Sequence, residues 1–507
     1  IYGRNGEVFE IGSISVKELT SADMDVTRAT AATRVDENGL VNYAEVIGSD
    51  LTSPLNFLST WLEASVDSKT SNTFTVGGSG RGMYFMLPEN KTLKINVSGV
   101  TGSVELRYRT TTGGAGTVLG DFDTDLYLTT TNATTNIYLR ATGAGTVSFT
   151  DVSVKEVTRD NVPRIDYTGG GCPHILAEPQ RRNLVTYSEA ISNLNLLTNG
   201  TGTNTITDNY TDSPEGVQNS SRVQISIVDT NDGSNYRIID LGSVMATGVT
   251  REISFYAKSL TGSNQEVLVY WANAKQIVTL TNDWQRFEIS GTSDSSGAVY
   301  IGTRGGTTQY YAGGDANLDF AIWGLQVEDD GSGGGSSYAT SYIPTSGSTV
   351  TRNQDIFTRD GIGSLINSTE GCLFGEGNFA ESSISGYNYF VSLSDGTNNN
   401  RLEIRQTSSN VQFLWRVSTY QSQIATSGID VGSNFKFALN YSAANIKFYV
   451  NGNPIGTINT PTLWLADTLN RLGLDDGAGN DNFNGKVKQL QVYDTALTDE
   501  QLAALTS

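Results

Sequence analysis

Apolar and polar positions alternate in short runs along nearly the whole 507-residue chain, and this period of two predicts half-buried β-strands. In TLKINVSGV the alternation sets Leu93, Ile95 and Val97 on one face, and in GSVELRYRT it does the same for Val104, Leu106 and Tyr108. Strands are predicted at 73–76, 82–87, 93–97, 103–109, 125–129, 136–140 and 145–154, then at 220–227, 237–240, 250–259, 265–272, 276–280, 284–290, 298–303 and 318–327. A third group falls at 372–375, 389–394, 401–406, 411–417, 434–441, 445–450 and 486–493. Within it, Asn451-Gly452 predicts a tight hairpin, since both central positions of a type I′ turn need positive φ. The tail LTDEQLAAL departs from the pattern: Thr498 as N-cap, with Glu500 and Gln501 behind it, predicts one closing helix. Each strand group must hide an apolar face, so the expected fold class is all-β, with tandem jelly-roll β-sandwiches.

Recurrent strings divide the chain. SVKEL at 15–19, SVKEV at 153–157, IWGLQVED at 322–329 and KQLQVYD at 488–494 each read as the last strand of a module. Polar connectors with Asp25 to Arg28, Arg159 to Arg164 and Thr349 to Asn353 follow the first three. The expected order is the end of a preceding β module (1–19), a connector (20–41), a sandwich (42–157), a connector (158–182) and a second sandwich (183–328). A connector rich in Gly, Ser and Tyr (329–360) and a third sandwich (361–507) complete it. The opening residues resemble a module's end, so the chain is expected to begin inside a longer polypeptide. Tyr338, Tyr342 and Ile343 in the last connector imply that it packs along a module or partner rather than acting as a free tether.

Charge and composition narrow the function. A net charge of -20 disfavours attraction to nucleic acid or an anionic bilayer, and no long apolar run predicts membrane insertion. Cys172 and Cys372 are too far apart in sequence to suggest a metal site or disulfide framework, and both read as buried small hydrophobes. His174 is the only histidine and sits in a proline-bounded joint beside Gly169 to Gly171 and the Arg181-Arg182 pair, where a structural hydrogen bond is expected. No catalytic residue emerges. The 53 acidic residues make chance carboxylate pairs common, and no spacing selects one for glycoside cleavage.

Two stretches resemble known families. Gly-Cys-Pro at 171–173, LAEPQRRNLVTYSE at 176–189, SPEG at 213–216, ISFYAKS, DWQRFEIS at 283–290, IWGLQVE and SYATSYIPTSGSTVTR at 337–352 resemble the repeated modules of bacteriophage tail-fibre and other virion-appendage proteins, over roughly 160–355. That resemblance implies a carbohydrate-binding-like jelly roll, a homotrimer and other virion proteins as partners. It also implies a place on the virion surface, extracellular, as a tail or head fibre. FYVNG at 448–452, FNGKV at 483–487, LQVY at 490–493 and ALTDEQ at 496–501 resemble the concanavalin-like, laminin-G-type sandwich, whose ligands range from sugars to proteins.

The candidate sites lie in that last module. A host cell-surface glycan needs exposed aromatic faces and polar groups for hydroxyls, which Tyr387, Trp415, Tyr420 and Trp464, with Asp395 and Asn398 to Asn400, could supply. Trp415 lies opposite Leu414 in an alternating strand and fits either core or surface. Trp271, Trp284 and Trp323 read as core. Asp475, Asp476, Asn480 and Asp481 offer hard oxygen ligands beside glycines, suited to Ca²⁺, although Asp, Asn and Gly clusters also form ordinary turns.

Overall fold

The computed structural model describes residues 24–507 apart from 112, 132–134 and 427, and for Tyr420 it describes the backbone only. The module end expected at 1–19 lies outside the described residues. The chain forms two compact units, residues 27–355 and residues 356–507 with those preceding Thr27.

The first unit holds two sandwiches. In the earlier one, the sheet ordered Thr117–Gly120, Val104–Arg109, Asn136–Ala141, Gly82–Met86, Leu62–Ala64 faces the sheet ordered Leu126–Thr129, Thr92–Ser98, Asp151–Thr158, Val46–Asp50. Leu93, Ile95, Val97 and Leu106 are buried between them, with Phe57 edge-on to Phe74 and Phe149. The strand expected at 145–154 is interrupted: Gly145–Ser148 and Asp151–Thr158 belong to different sheets.

In the later sandwich, Asn317–Asp329 is the spine, pairing with Gln218–Ser226, Thr250–Ser259 and Arg181–Asn183. The opposing sheet runs Asn195–Asn199, Tyr236–Asp240, Val299–Arg304, Gln265–Trp271, Ala274–Leu280. The connectors between modules are packed rather than loose. Tyr342 and Ile343 are buried, and the Tyr342 ring lies 4.5 Å from Trp323.

Beneath these connectors, Arg28, Arg164 and Arg352 are buried with Glu178 and Asp355. Arg28 reaches Asp355 at 2.6 Å, Arg164 binds both carboxylates, and Arg352 reaches Glu178 at 2.6 Å. Burial alone would raise the Glu178 carboxyl, but Arg352 and Arg164 outweigh it and hold the group well below the usual range.

Several side-chain expectations change. Cys172 is exposed, in a turn of three positive-φ glycines that has no core to enter, whereas Cys372 is buried and its thiol is pushed up to about 12. Trp271 and Trp323 are core, but Trp284 is only half-buried: Lys258 sits over its ring and its indole donates to Asp212 O. His174 lies 3.4 Å from Asp166, a structural contact within the joint.

The second unit is also a sandwich. One sheet includes, in order, Ile356–Arg359, Arg471–Gly473, Tyr387–Ser394, Asn400–Thr407, Asn410–Val417, Tyr420–Ala425; the other includes Gly485–Tyr493, Gly371–Phe379, Phe435–Tyr441, Asn445–Val450, Asn453–Asn459. Asn451 and Gly452 take φ of 49° and 79°, the hairpin geometry that the Asn-Gly pair encodes. Thr498 caps Asp499–Thr506 in a reciprocal capping box with Gln501.

Candidate functional site

In the strand Asn400–Thr407 the side chains alternate between two faces, Leu402 and Ile404 on one and Arg401, Glu403 and Arg405 on the other, and all five are buried. Register aligns Ser394 with Arg401, Ser392 with Glu403 and Tyr389 with Arg405. On the other side of Tyr387–Ser394, Arg471 stands beside Ser394. One sheet face therefore carries a buried strip of arginine, serine and carboxylate that opens to the surface at Tyr387. Arg405 lies 4.1 Å from the Tyr387 ring centroid, and Tyr387 stays 52% exposed, so one face of the ring is held by a cation while the side chain remains open to ligand.

The carboxylates along this strip are differently held. Glu403 is fully buried, with Arg401 at 2.6 Å and Arg405 at 2.8 Å. Burial pushes its carboxyl up to about 7, against the two arginines. Both oxygens are covered by guanidinium groups, so Glu403 is not placed to hand a proton to a bound sugar. Asp475 accepts from both terminal nitrogens of Arg471 and from Gly477 N. Burial would raise Asp476, but Asn480 N, Ala478 N and Asn398 donate to it and hold it low.

The predicted residues sort accordingly. Tyr387 stands exposed at one end of the strip, and Asn398, accepting from Arg401 and donating to Asp476, stands at the other. Asp395 closes its own loop, accepting from Thr397 and Asn400. Trp415 offers no face to a sugar: it pairs across from Leu402 on the inner face and is fully buried. Trp464 is likewise core, edge-on to Tyr441, with its indole donating to Arg416 O at 2.8 Å. For Tyr420 the strand position alone is described.

The four residues suggested for calcium are held in different ways. Asp475 and Asp476 are engaged by Arg471 and by loop N–H groups, while Asn480 and Asp481 are exposed. Among the described residues no three carboxylate, thiolate or imidazole groups gather as metal ligands. Sequence reading missed Arg401, Glu403, Arg405 and Arg471; the signal was the Arg-x-Glu-x-Arg alternation in NRLEIRQT.

The class of protein is set by these sheets: all-β, tandem antiparallel sandwiches. For the last of them, the laminin-G-type model of the concanavalin A-like lectin/glucanases superfamily matches residues 381–503, which contain the polar strip up to Asp475 and Asp476. No curated protein matches the chain. Among solved structures it is similar to the Ruminococcus gnavus IT-sialidase CBM40, with 17% identity over 28% of this chain and 84% of that one and a TM-score of 0.25. It is also similar to the CBM22-1-CBM22-2 tandem domain of Paenibacillus barcinonensis Xyn10C, with 13% identity over 56% of this chain and 97% of that one and a TM-score of 0.20. A putative carbohydrate binding protein from Bacteroides ovatus gives 14% identity, 54% of this chain, 81% of that one and a TM-score of 0.23.

Proposed function

We propose that the chain is a non-catalytic glycan-binding protein of a bacteriophage fibre or other virion appendage, in which tandem sandwiches carry a lectin-like C-terminal module that adheres to host-surface glycan. The observation that carries the binding part is exposed Tyr387, its ring held by Arg405, on the module that matches the concanavalin A-like superfamily. Aliphatic C–H groups of a sugar suit the open Tyr387 side chain. What supports the appendage part is the resemblance of 160–355 to virion-appendage modules, whose signature residues Arg182, Tyr342 and Arg352 are used in the packed connectors. A homotrimer and attachment to other virion proteins belong to the same reading.

Binding of the labelled full chain to a glycan array tests the recognition part: discrete glycans bound are expected, and an array with no binding overturns it. Immunogold labelling with antibody to the chain tests the appendage part. Label on particle fibres is expected, and label confined to a cell surface would favour a cellular adhesin instead.

A further inference from the structure

We propose that Glu189 and Glu215 form an acid-strengthened latch that docks the first connector on the second sandwich, closed when the pair holds a proton and loosened when both carboxylates are charged. The latch is independent of the glycan reading and lies wholly within residues 27–355. Three pieces of chain meet there. Val41 from the connector is buried against Trp323 and Tyr342, and its N–H donates to Pro214 O at 2.9 Å. Leu40 beside it lies against Gly216, and the Thr33 hydroxyl donates to Tyr342 O at 2.5 Å. Glu215 stands between Pro214 and Gly216 on that loop, and Glu189 follows the Arg181–Asn183 strand of the second sandwich.

The pair is short of hydrogens. Glu189 accepts from the Tyr342 hydroxyl at 2.8 Å and from Asn219 Nδ2 at 3.3 Å, and Glu215 accepts from that same Nδ2 at 2.9 Å. Asn219 Oδ1 is buried and takes no donor among the described residues. One amide nitrogen therefore serves two carboxylates beside a third acceptor that has no hydrogen. A single proton on either carboxyl supplies the donor this arrangement lacks and removes one of two like charges.

No cation offsets those charges. Arg159 faces Glu215, but Glu45 holds it at 3.0 Å and its guanidinium lies against the Tyr43 and Tyr127 rings. Tyr43 and Tyr342 face the pair too, and burial raises both hydroxyls, so they remain neutral. Burial raises the Glu189 carboxyl against the Tyr342 hydrogen bond, and the Glu215 charge adds to the rise. Burial also raises Glu215, against Asn219 and Arg159. The two titrate as one coupled pair. Both lie above their ordinary 4.5, so the latch contributes fully below pH 4.5 and is lost as pH rises through the raised range.

Hydrogen exchange of the full chain from pH 4.5 to 7.5, corrected for intrinsic rate, tests the latch in peptides from 36–45 and 213–219. Exchange at Val41 reports the joint directly, because its N–H is the one given to Pro214 O. Protection in both peptides is expected to fall as pH rises, while a peptide from Thr250–Ser259 in the same sandwich holds steady. Glu215→Gln removes one charge and should keep protection at pH 7.5 near its level at pH 4.5. Glu189→Gln should do the same; if it lowers the melting temperature at pH 4.5, Glu215→Gln is decisive because that residue lies on a loop. Protection independent of pH in the wild type overturns the proposal, as does a pH slope that survives Glu215→Gln. Restoration of protection at pH 7.5 by added Ca²⁺ would overturn it as well, since the missing partner would then be a metal ion rather than a proton.

Discussion

Two clusters in this molecule are built from the same ingredients and behave oppositely. In the connectors, Arg164 and Arg352 converge on Glu178 and drive its carboxyl low; in the last sandwich, Arg401 and Arg405 flank Glu403, yet its carboxyl rises to about 7. Burial opposes ionisation in both. The difference lies in the rest of the shell. Ser341 donates to Glu178 through both its amide and its hydroxyl, and Asp355 takes up charge from Arg28 and Arg164. Glu403 gains no such donors among the described residues and has the Asp476 charge nearby. An arginine beside a carboxylate therefore does not by itself fix a charge state; the count of donors against burial does. The first cluster reads as a lock on module packing, and the second as a face whose charge can change near neutral pH.

The largest test of this contrast is Glu178→Gln. It leaves Arg164 and Arg352 buried beside a neutral group and should cost about 3–5 kcal/mol. Hydrogen exchange in peptides from 160–182 and 340–355 would show it as lost protection; a cost under about 1 kcal/mol would break the comparison.

Next comes the pH response, with opposite signs. Glu178 is depressed below its ordinary 4.5, so its contribution is present above that pH and is lost as pH falls further. Glu403 is raised above 4.5, so its contribution is present below 4.5 and is lost as pH rises toward about 7. Exchange of peptides from 400–417, corrected for intrinsic rate, should therefore speed up between pH 4.5 and 7 in the wild type. In Glu403→Gln that slope should flatten, and a slope unchanged by the substitution would refute the assignment.

The smallest effect is expected from calcium. With Asp475 and Asp476 held by protein donors, adding Ca²⁺ or a chelator should leave the melting temperature of the chain within about 1 °C, an interval well below what even 1 kcal/mol would produce in a smaller domain. A larger rise with Ca²⁺ would show that these groups reorganise around a cation.

Alternation made the interior strands legible, because each of them buries one face. Edge strands were harder. Asn204–Asp212, NTITDNYTD, is mostly exposed and has little apolar pattern to read, and Tyr420–Ala425 and Asn453–Asn459 lie at sheet edges too. In the site, exposed Tyr387 could be picked out by residue type, but Trp415 could not, since Leu414 and Trp415 are both apolar and only pairing with Leu402 settles which one faces the core. The connector cluster was beyond sequence reading for a different reason: Arg28 and Asp355 are 327 residues apart, and no local period links them.

The most direct measurement of the central claim is a binding isotherm of the full chain on an array-identified glycan, comparing wild type with Tyr387→Ala and with Leu465→Ala as a control at an 84% exposed position. The account predicts about tenfold weaker binding for Tyr387→Ala, with melting unchanged, and no change for Leu465→Ala. Equal affinity for all three proteins would contradict it.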